Sequence, residues 1–352
     1  MTRIPTPHLH GPACILPSGL LRRLAVETDD ADLRRAALEA LGVDARFRVA
    51  RAEAAARTVR DGHTTFARVG GTAQVSVYDQ KHASTQTPGT LVRGQGQPPV
   101  ADRAVDQAYD GLEATYDFYW NVFSRDSIDG AGMSIAGCVH FGNKYPNAFW
   151  DGAGHMFFGD GDGQMLTQTT AGLDVIGHEL THGVTQSEAN LTYSGQSGAL
   201  NESISDVFGS LVKQKVLGQD AASADWLIGA DIVGPALKPA LRSMKDPGHA
   251  NPHDDQPATM AGYVVGGDVH TNSGIPNHAF YVVATTYGGK AWEVPGEIWY
   301  AALCDRKLRP SSTFARFARV TLDHAQQQFG RTSKEVQAVQ AGWDAVQVKP
   351  AR

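Results

Sequence analysis

The stretch VIGHELTHGV, Val175 to Val184, sets two imidazoles four residues apart with a carboxylate directly after the first. In a helix, positions i and i+4 lie one above the other, so His178 and His182 point at one spot. Glu179 leaves the axis about 100° further round, beside that spot. Two imidazoles held this way chelate a divalent metal ion. A neighbouring carboxylate outside the ligand set is the proton acceptor that metal-assisted attack by water requires. HExxH alone recurs by chance, and its plainer reading is a helix with two solvated histidines. Against that stands GALNESISD, where Glu202 follows His182 with nineteen residues between, on the next predicted helix. His, His and Glu match the three protein ligands of a catalytic zinc that keeps one position open. Asp206, one turn beyond Glu202, and Asn201 just before it are natural acceptors for the second N–H of each ligating ring.

These residues need a scaffold. The chain has 352 residues, 42% hydrophobic and 19% charged, enough for two or more ordinary globular domains. A formal charge of -6 offers no basic face for nucleic acid, and no apolar run approaches a membrane span. Cys14, Cys138 and Cys304 are too widely spaced to read as a disulfide framework. MTRIPTPHLHGPACILPSGLLRRLA shows no apolar core followed by a small-residue cleavage site, so no standard secretory signal is visible.

The first sixty residues are rich in Ala and Arg, and Leu33, Leu38 and Leu41 fall near helical spacing. They predict one or two short amphipathic helices ending by Gly62. From Val69, AQVSVYD and GTLVRGQGQPP alternate like strands. Leu112, Tyr116, Tyr119 and Phe123 then step along one face of a long helix. GCVHFGNKYPNAFWDGAGHMFF reads as strand again. GDGDG, Gly159 to Gly163, lacks the spacing and final glutamate of a calcium loop and reads as a turn. Beyond Gly172 the pattern is helical, with Leu200, Ile204, Val207 and Leu211 on one stripe. Near the end, Ser333 and Glu335 stand where a cap would start the last helix. The expected class is α+β, divided into a prosegment 1–55, a β-rich domain 56–172 and an α-helical domain 173–352.

Five motifs, NAFWDG, HELTH, NLTYSGQSGALNESISD, ALRSM and GDVHTNSGIPN, occur in an order that resembles the thermolysin family of zinc endopeptidases. The similarity runs from about Val75 to about Gly330. CILPSGLLRRLA is similar to the short propeptide of that family's protealysin-like branch. The resemblance implies a two-domain fold with the zinc site between a β-rich and an α-helical domain. It makes His178, His182 and Glu202 the zinc ligands and Glu179 the base that takes a proton from water and passes it to the leaving amine. His270 and Tyr193 would steady the developing oxyanion. Asn147 and Ala148 would pair with the substrate backbone, and Arg242 would grip a substrate carbonyl. Val175 and Leu241 would wall an apolar pocket for the residue after the scissile bond. Asn201 and Asp206 would orient the ligand rings. The implied activity is that of a secreted neutral zinc endopeptidase, made as a zymogen and cutting on the amino side of bulky apolar residues. Its partners would be peptide and protein substrates and its own propeptide as inhibitor, cut away between Val49 and Gly70. A zinc aminopeptidase, a catalytically silent metal-binding scaffold and a cytoplasmic location are the alternatives.

The chain departs from the family pattern at three places. An aspartate that often precedes the oxyanion histidine by five residues is Val265 here, with Asp268 the nearest acid. An acid of the paired calcium site is replaced by Lys213, although Asp174 keeps another. An ammonium cannot ligate calcium, so the paired site is expected to be absent and calcium elsewhere is left open. Pro17-Ser18 stands where two prolines are usual. A sharper reading of the prosegment puts the Cys14 thiolate in the open zinc position; the bland one makes Cys14 a small buried hydrophobe.

Overall fold

The structure, a computed structural model, describes residues 14–58, 71–85 and 87–352. The prosegment contributes α1 (Ser18–Glu27) and α2 (Ala31–Thr58), which pack on each other. α2 is 28 residues long rather than short, because its Ala, Arg and Glu content favours unbroken helix. Its buried stripe is also different from the one expected. Leu33, Ala37, Ala40 and Asp44 face inward, while Leu38 is 55% exposed. Alanines carry that face, so weighting the leucines misplaces it.

The next part is a mixed sheet of β1 (Val75–Asp79), β2 (Thr90–Arg93), β3 (Ile135–Val139), β4 (Ala148–Trp150) and β5 (His155–Phe158), ordered β2-β1-β3-β5-β4. β1, β3 and β5 run parallel, and β2 and β4 pair antiparallel at the two edges. α3 (Arg103–Phe123) lies across the sheet behind an Asp102 cap, whose carboxylate accepts from Ala104 N–H at 2.9 Å. Leu112, Tyr116 and Tyr119 are buried, as their spacing predicts. The GDGDG segment is a turn in which Asp162 Oδ1 accepts from the N–H groups of Gln164, Met165 and Leu166.

The helical part follows: α4 (Leu173–Glu188), α5 (Gly195–Leu217), the short pair β6 (Leu227–Ile228) and β7 (Arg242–Ser243), then α6 (Val269–Asn272), α7 (Gly274–Tyr287), α8 (Val294–Leu303), α9 (Phe314–Phe329) and α10 (Lys334–Ala345). Ser333 caps α10 by accepting from Val336 N–H. The α+β class with the sheet first and the helices second is therefore as the residues predict. No helix among the described residues is long and apolar enough to cross a membrane.

α5 departs from its expected stripe. It is buried all round from Ser197 to Gln214, polar residues included. α4 and α5 meet at two glycines, Gly177 and Gly209. A Cβ on Gly209 would stand 2.3 Å from the Asp174 carbonyl oxygen and 2.9 Å from His178 N, both α4 backbone. This contact sets how closely Glu202 approaches the two histidines. Gly209→Ala must part the helices, at a cost on the order of 3 kcal/mol. The expected outcome is a lower urea midpoint together with weaker zinc binding; an unchanged midpoint would show that the helices reseat without this contact.

Candidate active site

α4 places His178 and His182 one turn apart with ring centroids 4.6 Å apart, both buried. His178 Nδ1 lies 2.8 Å from Asp206 Oδ1, and His182 Nδ1 lies 2.7 Å from Asn201 Oδ1. Both partners are acceptors, so each ring donates Nδ1–H and presents Nε2 as a lone pair. The two Nε2 atoms face each other at 3.0 Å. Two lone pairs this close repel unless a cation lies between them. Glu202 closes the group, with one oxygen 3.5 Å from each Nε2. One ligand atom from each of the three residues lies within 4.8 Å of the others, so the donor set fits a zinc ion.

Asp206 has a second duty. It accepts from Arg242 Nε at 2.9 Å, from Arg242 Nη2 at 2.7 Å and from Asn277 Nδ2 at 2.8 Å. Burial alone would raise its pKa, but Arg242 and His178 hold it far below the usual carboxylate range. Ser205 Oγ also reaches His182 Nδ1, at 3.0 Å. Sequence reasoning missed Ser205, although it stands one turn after Asn201. It also missed Asn277, a distant residue that only the tertiary fold brings near.

Glu179 is buried beside the group, and its Oε2 accepts from Trp150 N–H at 3.1 Å. The Glu179 carboxylate is thus tied to edge strand β4. His270 Nδ1 lies 2.8 Å from Asp268 Oδ1, so Asp268 orients this ring while Val265 is 89% exposed. Burial would lower the His270 pKa, yet Glu202 and Asp268 together push it up to about 9. Its Nε2 is 3.2 Å from Glu202 Oε2, and Tyr193 donates its hydroxyl to Glu202 Oε1. Tyr193 also lies 3.5 Å from His270 Nε2.

The cleft holds the chain's own prosegment. Cys14 forms an antiparallel bridge with Phe149, and Ile15 N–H donates to the Ala148 carbonyl at 3.3 Å. Leu16 N–H donates to Asn147 Oδ1 at 3.1 Å, Arg242 Nη1 donates to the Ile15 carbonyl at 3.0 Å, and His270 Nε2 donates to the Cys14 carbonyl at 3.0 Å. Asn147, Ala148 and Arg242 therefore grip a peptide backbone. Ile15, Val175 and Leu241 are buried in one continuous apolar core. The Cys14 thiol is outside the three-residue metal group, and it is the Cys14 carbonyl that meets His270. Of the stretch expected to be cut, residues 59–70 lie outside the described residues.

The replaced calcium acid has a definite place. Lys213 Nζ sits 2.9 Å from Asp231, 3.6 Å from Asp225 and 4.0 Å from the buried Asp174, supplying the positive charge for these acids itself.

A peptide held by its backbone across a buried three-ligand metal group is the arrangement of a metallopeptidase. Comparison with known proteins narrows this. A family model described as the thermolysin metallopeptidase catalytic domain matches residues 50–186, and that of the α-helical domain matches residues 189–348. An extracellular metalloprotease of Pectobacterium carotovorum subsp. carotovorum is 49% identical over 79% of this chain and 82% of its own length. A bacillolysin of Brevibacillus brevis is 41% identical over 75% of this chain and 50% of its own. The solved precursor of protealysin, a metalloproteinase from Serratia proteamaculans, superposes with a TM-score of 0.84 at 45% identity, covering 95% of this chain and 99% of that one. The chain belongs to the thermolysin family of metallopeptidases. It is a peptide-bond hydrolase with zinc as its metal.

Asn201→Ala removes the principal acceptor for His182 Nδ1–H while leaving Ser205 in place. Zinc affinity should fall by about 10- to 100-fold, measured by competition with a chelating dye. Unchanged affinity would mean that Ser205 alone orients the ring.

Proposed function

We propose that the processed chain is a secreted neutral endopeptidase that cuts on the amino side of bulky apolar residues. Residues 1–55 would be its removable inhibitor, and residues 56–172 and 173–352 its two catalytic domains. The observation that carries this reading is the prosegment backbone, gripped by Asn147, Ala148, Arg242 and His270 beside His178, His182 and Glu202. The gripped residues are internal, with thirteen others before Cys14, which favours an endopeptidase over an enzyme that needs a free amino end. Buried Ile15 supports an apolar preference after the scissile bond. Secretion is supported by the relative named an extracellular metalloprotease, and synthesis as a zymogen by the match to a protealysin precursor.

His178, His182 and Glu202 would hold the zinc, which when bound supplies a Lewis acid and brings the pKa of water toward neutrality. Glu179, aimed by Trp150 N–H, takes the proton of the attacking water and delivers it to the leaving amine. His270 stays protonated beside Asp268 and donates Nε2–H to the carbonyl oxygen as charge builds there. Such a donor contributes on the order of 3 kcal/mol, and Tyr193 stands ready as a second. Ala148 and Asn147 add the substrate to the sheet edge as an extra strand, and Arg242 fixes the next carbonyl.

An internally quenched, end-blocked peptide tests the assignment. The processed protein should cleave it, and a chelator should stop the cleavage. Cleavage confined to free-ended peptides would select an aminopeptidase, and none at all a silent scaffold. Glu179→Gln should bind zinc normally while turnover falls by about 100-fold or more; normal turnover in that variant would remove Glu179 from the mechanism.

A further inference from the structure

We propose that the chain cuts its own Cys14–Ile15 peptide bond while the prosegment is docked, giving a nicked and still latent protein that begins at Ile15. This rests on the peptidase reading above and names one bond as the first substrate of that site.

Register carries the proposal. Edge strand β4 reads Ala148, Phe149, Trp150, and each member has a different partner. Ala148 accepts Ile15 N–H, Phe149 bridges Cys14, and Trp150 N–H holds the Glu179 carboxylate. The general base is therefore fixed one residue along the strand from the partner of Cys14. The Cys14 carbonyl oxygen accepts from His270 Nε2, which is itself 3.2 Å from Glu202 Oε2 in the metal group. The next carbonyl, that of Ile15, turns to Arg242 on the side of buried Asp206. One peptide bond is thus bracketed, with its oxygen on the oxyanion donor and its N–H on the sheet edge. A segment that only plugged the cleft would need neither contact. Ile15, on the leaving side of the bond, is a fully buried apolar residue, as the site's preference requires.

The step balances as plain hydrolysis. The oxygen of water bonds to the Cys14 carbonyl carbon and Glu179 takes the proton. The carbon–nitrogen bond breaks with its electron pair on Ile15 nitrogen, which receives that proton. The second proton of the water, left on the hydroxyl of the former carbonyl carbon, follows through Glu179 to the same nitrogen, so the peptide of residues 1–14 ends in a carboxylate and the remaining chain starts with an ammonium group. Water is the sole co-reactant.

The cut does not open the cleft. On the Ile15 side, Arg242 still holds the Ile15 carbonyl, Asn147 holds Leu16 and Asp268 accepts from Gly19 N–H. α1 keeps Leu20, Leu21 and Leu24 buried, and Arg23 pairs with Asp255. Tyr145 donates to Asp44 of α2. On the departing side, Cys14 gives up its bridge to Phe149 and the bond of its carbonyl to His270, while the contacts from Ile15 onward remain. Latency should therefore outlast this first cut and end with a second one beyond α2.

Full-length protein prepared in chelator, alongside Glu179→Gln, is given zinc. Intact mass, amino-terminal sequence and cleavage of the end-blocked peptide are then followed in the same samples. The expected result is loss of residues 1–14 from the wild type at a rate independent of protein concentration, before any peptide cleavage, with the variant intact. A wild type that matures and cleaves the peptide while every prosegment fragment keeps Cys14 joined to Ile15 overturns this proposal and leaves the peptidase reading standing. A nicking rate that climbs with concentration overturns cleavage in the docked state. No cut in either the chain or the peptide overturns both.

Discussion

Two imidazole nitrogens, each offering a lone pair, are held 3.0 Å apart inside the protein with a buried carboxylate beside them. That arrangement is unfavourable without a cation, and much of the structure serves to maintain it. The rings are kept in this tautomer by Asp206 and Asn201, both on α5. α5 must then be buried around its whole circumference, which requires the close glycine contact with α4. Asp206 stays ionised in the interior because Arg242 meets it with two donors. A buried charge lacking such a partner costs several kcal/mol. The same Arg242 binds the Ile15 carbonyl, so the orientation of the His178 ring and the hold on the docked segment share one ion pair.

A second coupling joins the sheet to the helices. Glu179 projects from α4, but its carboxylate is oriented by the backbone of Trp150 on β4. The strand that pairs with the docked segment therefore also orients the Glu179 carboxylate. Displacing β4 would shift both together, which preserves their relation to each other. A base fixed only within its own helix would lose alignment whenever the sheet edge moved.

The helix bearing HELTH was legible because its two histidines and its helical period agree, and the ligand glutamate because a second helix follows at a reachable distance. The acceptors Asp206 and Asn201 were legible from spacing on that same helix. Other features depend on contacts between residues far apart in the chain. Asn277 approaches Asp206 across 71 residues. Trp150 contributes a backbone N–H, which every non-proline residue possesses and no side-chain pattern reveals. Ser205, on the same helix, shows its contact with His182 only once α4 and α5 are packed together. Asp268 was visible as an acid near His270, but its role depended on whether the α6 cap would turn its carboxylate onto the ring, and it does. α2 was misread for a different reason, since alanines packed at close range can carry a buried face that leucines would be assumed to form.

The amino-terminal segment packs against the cleft through a modest interface. Leu20, Leu21 and Leu24 each contribute roughly 1.5–3 kcal/mol by burial. The Arg23–Asp255 pair, with side chains 34% and 47% exposed, adds under about 1 kcal/mol. Docking is intramolecular, however, and a tether of this kind acts like an effective concentration in the millimolar range. In the proposed zymogen, breaking the chain beyond α2 would make docking bimolecular, and dilution would then favour the open cleft. The connecting chain would thus be the switch of that zymogen, and the interface would need only enough affinity to work while that connection lasts.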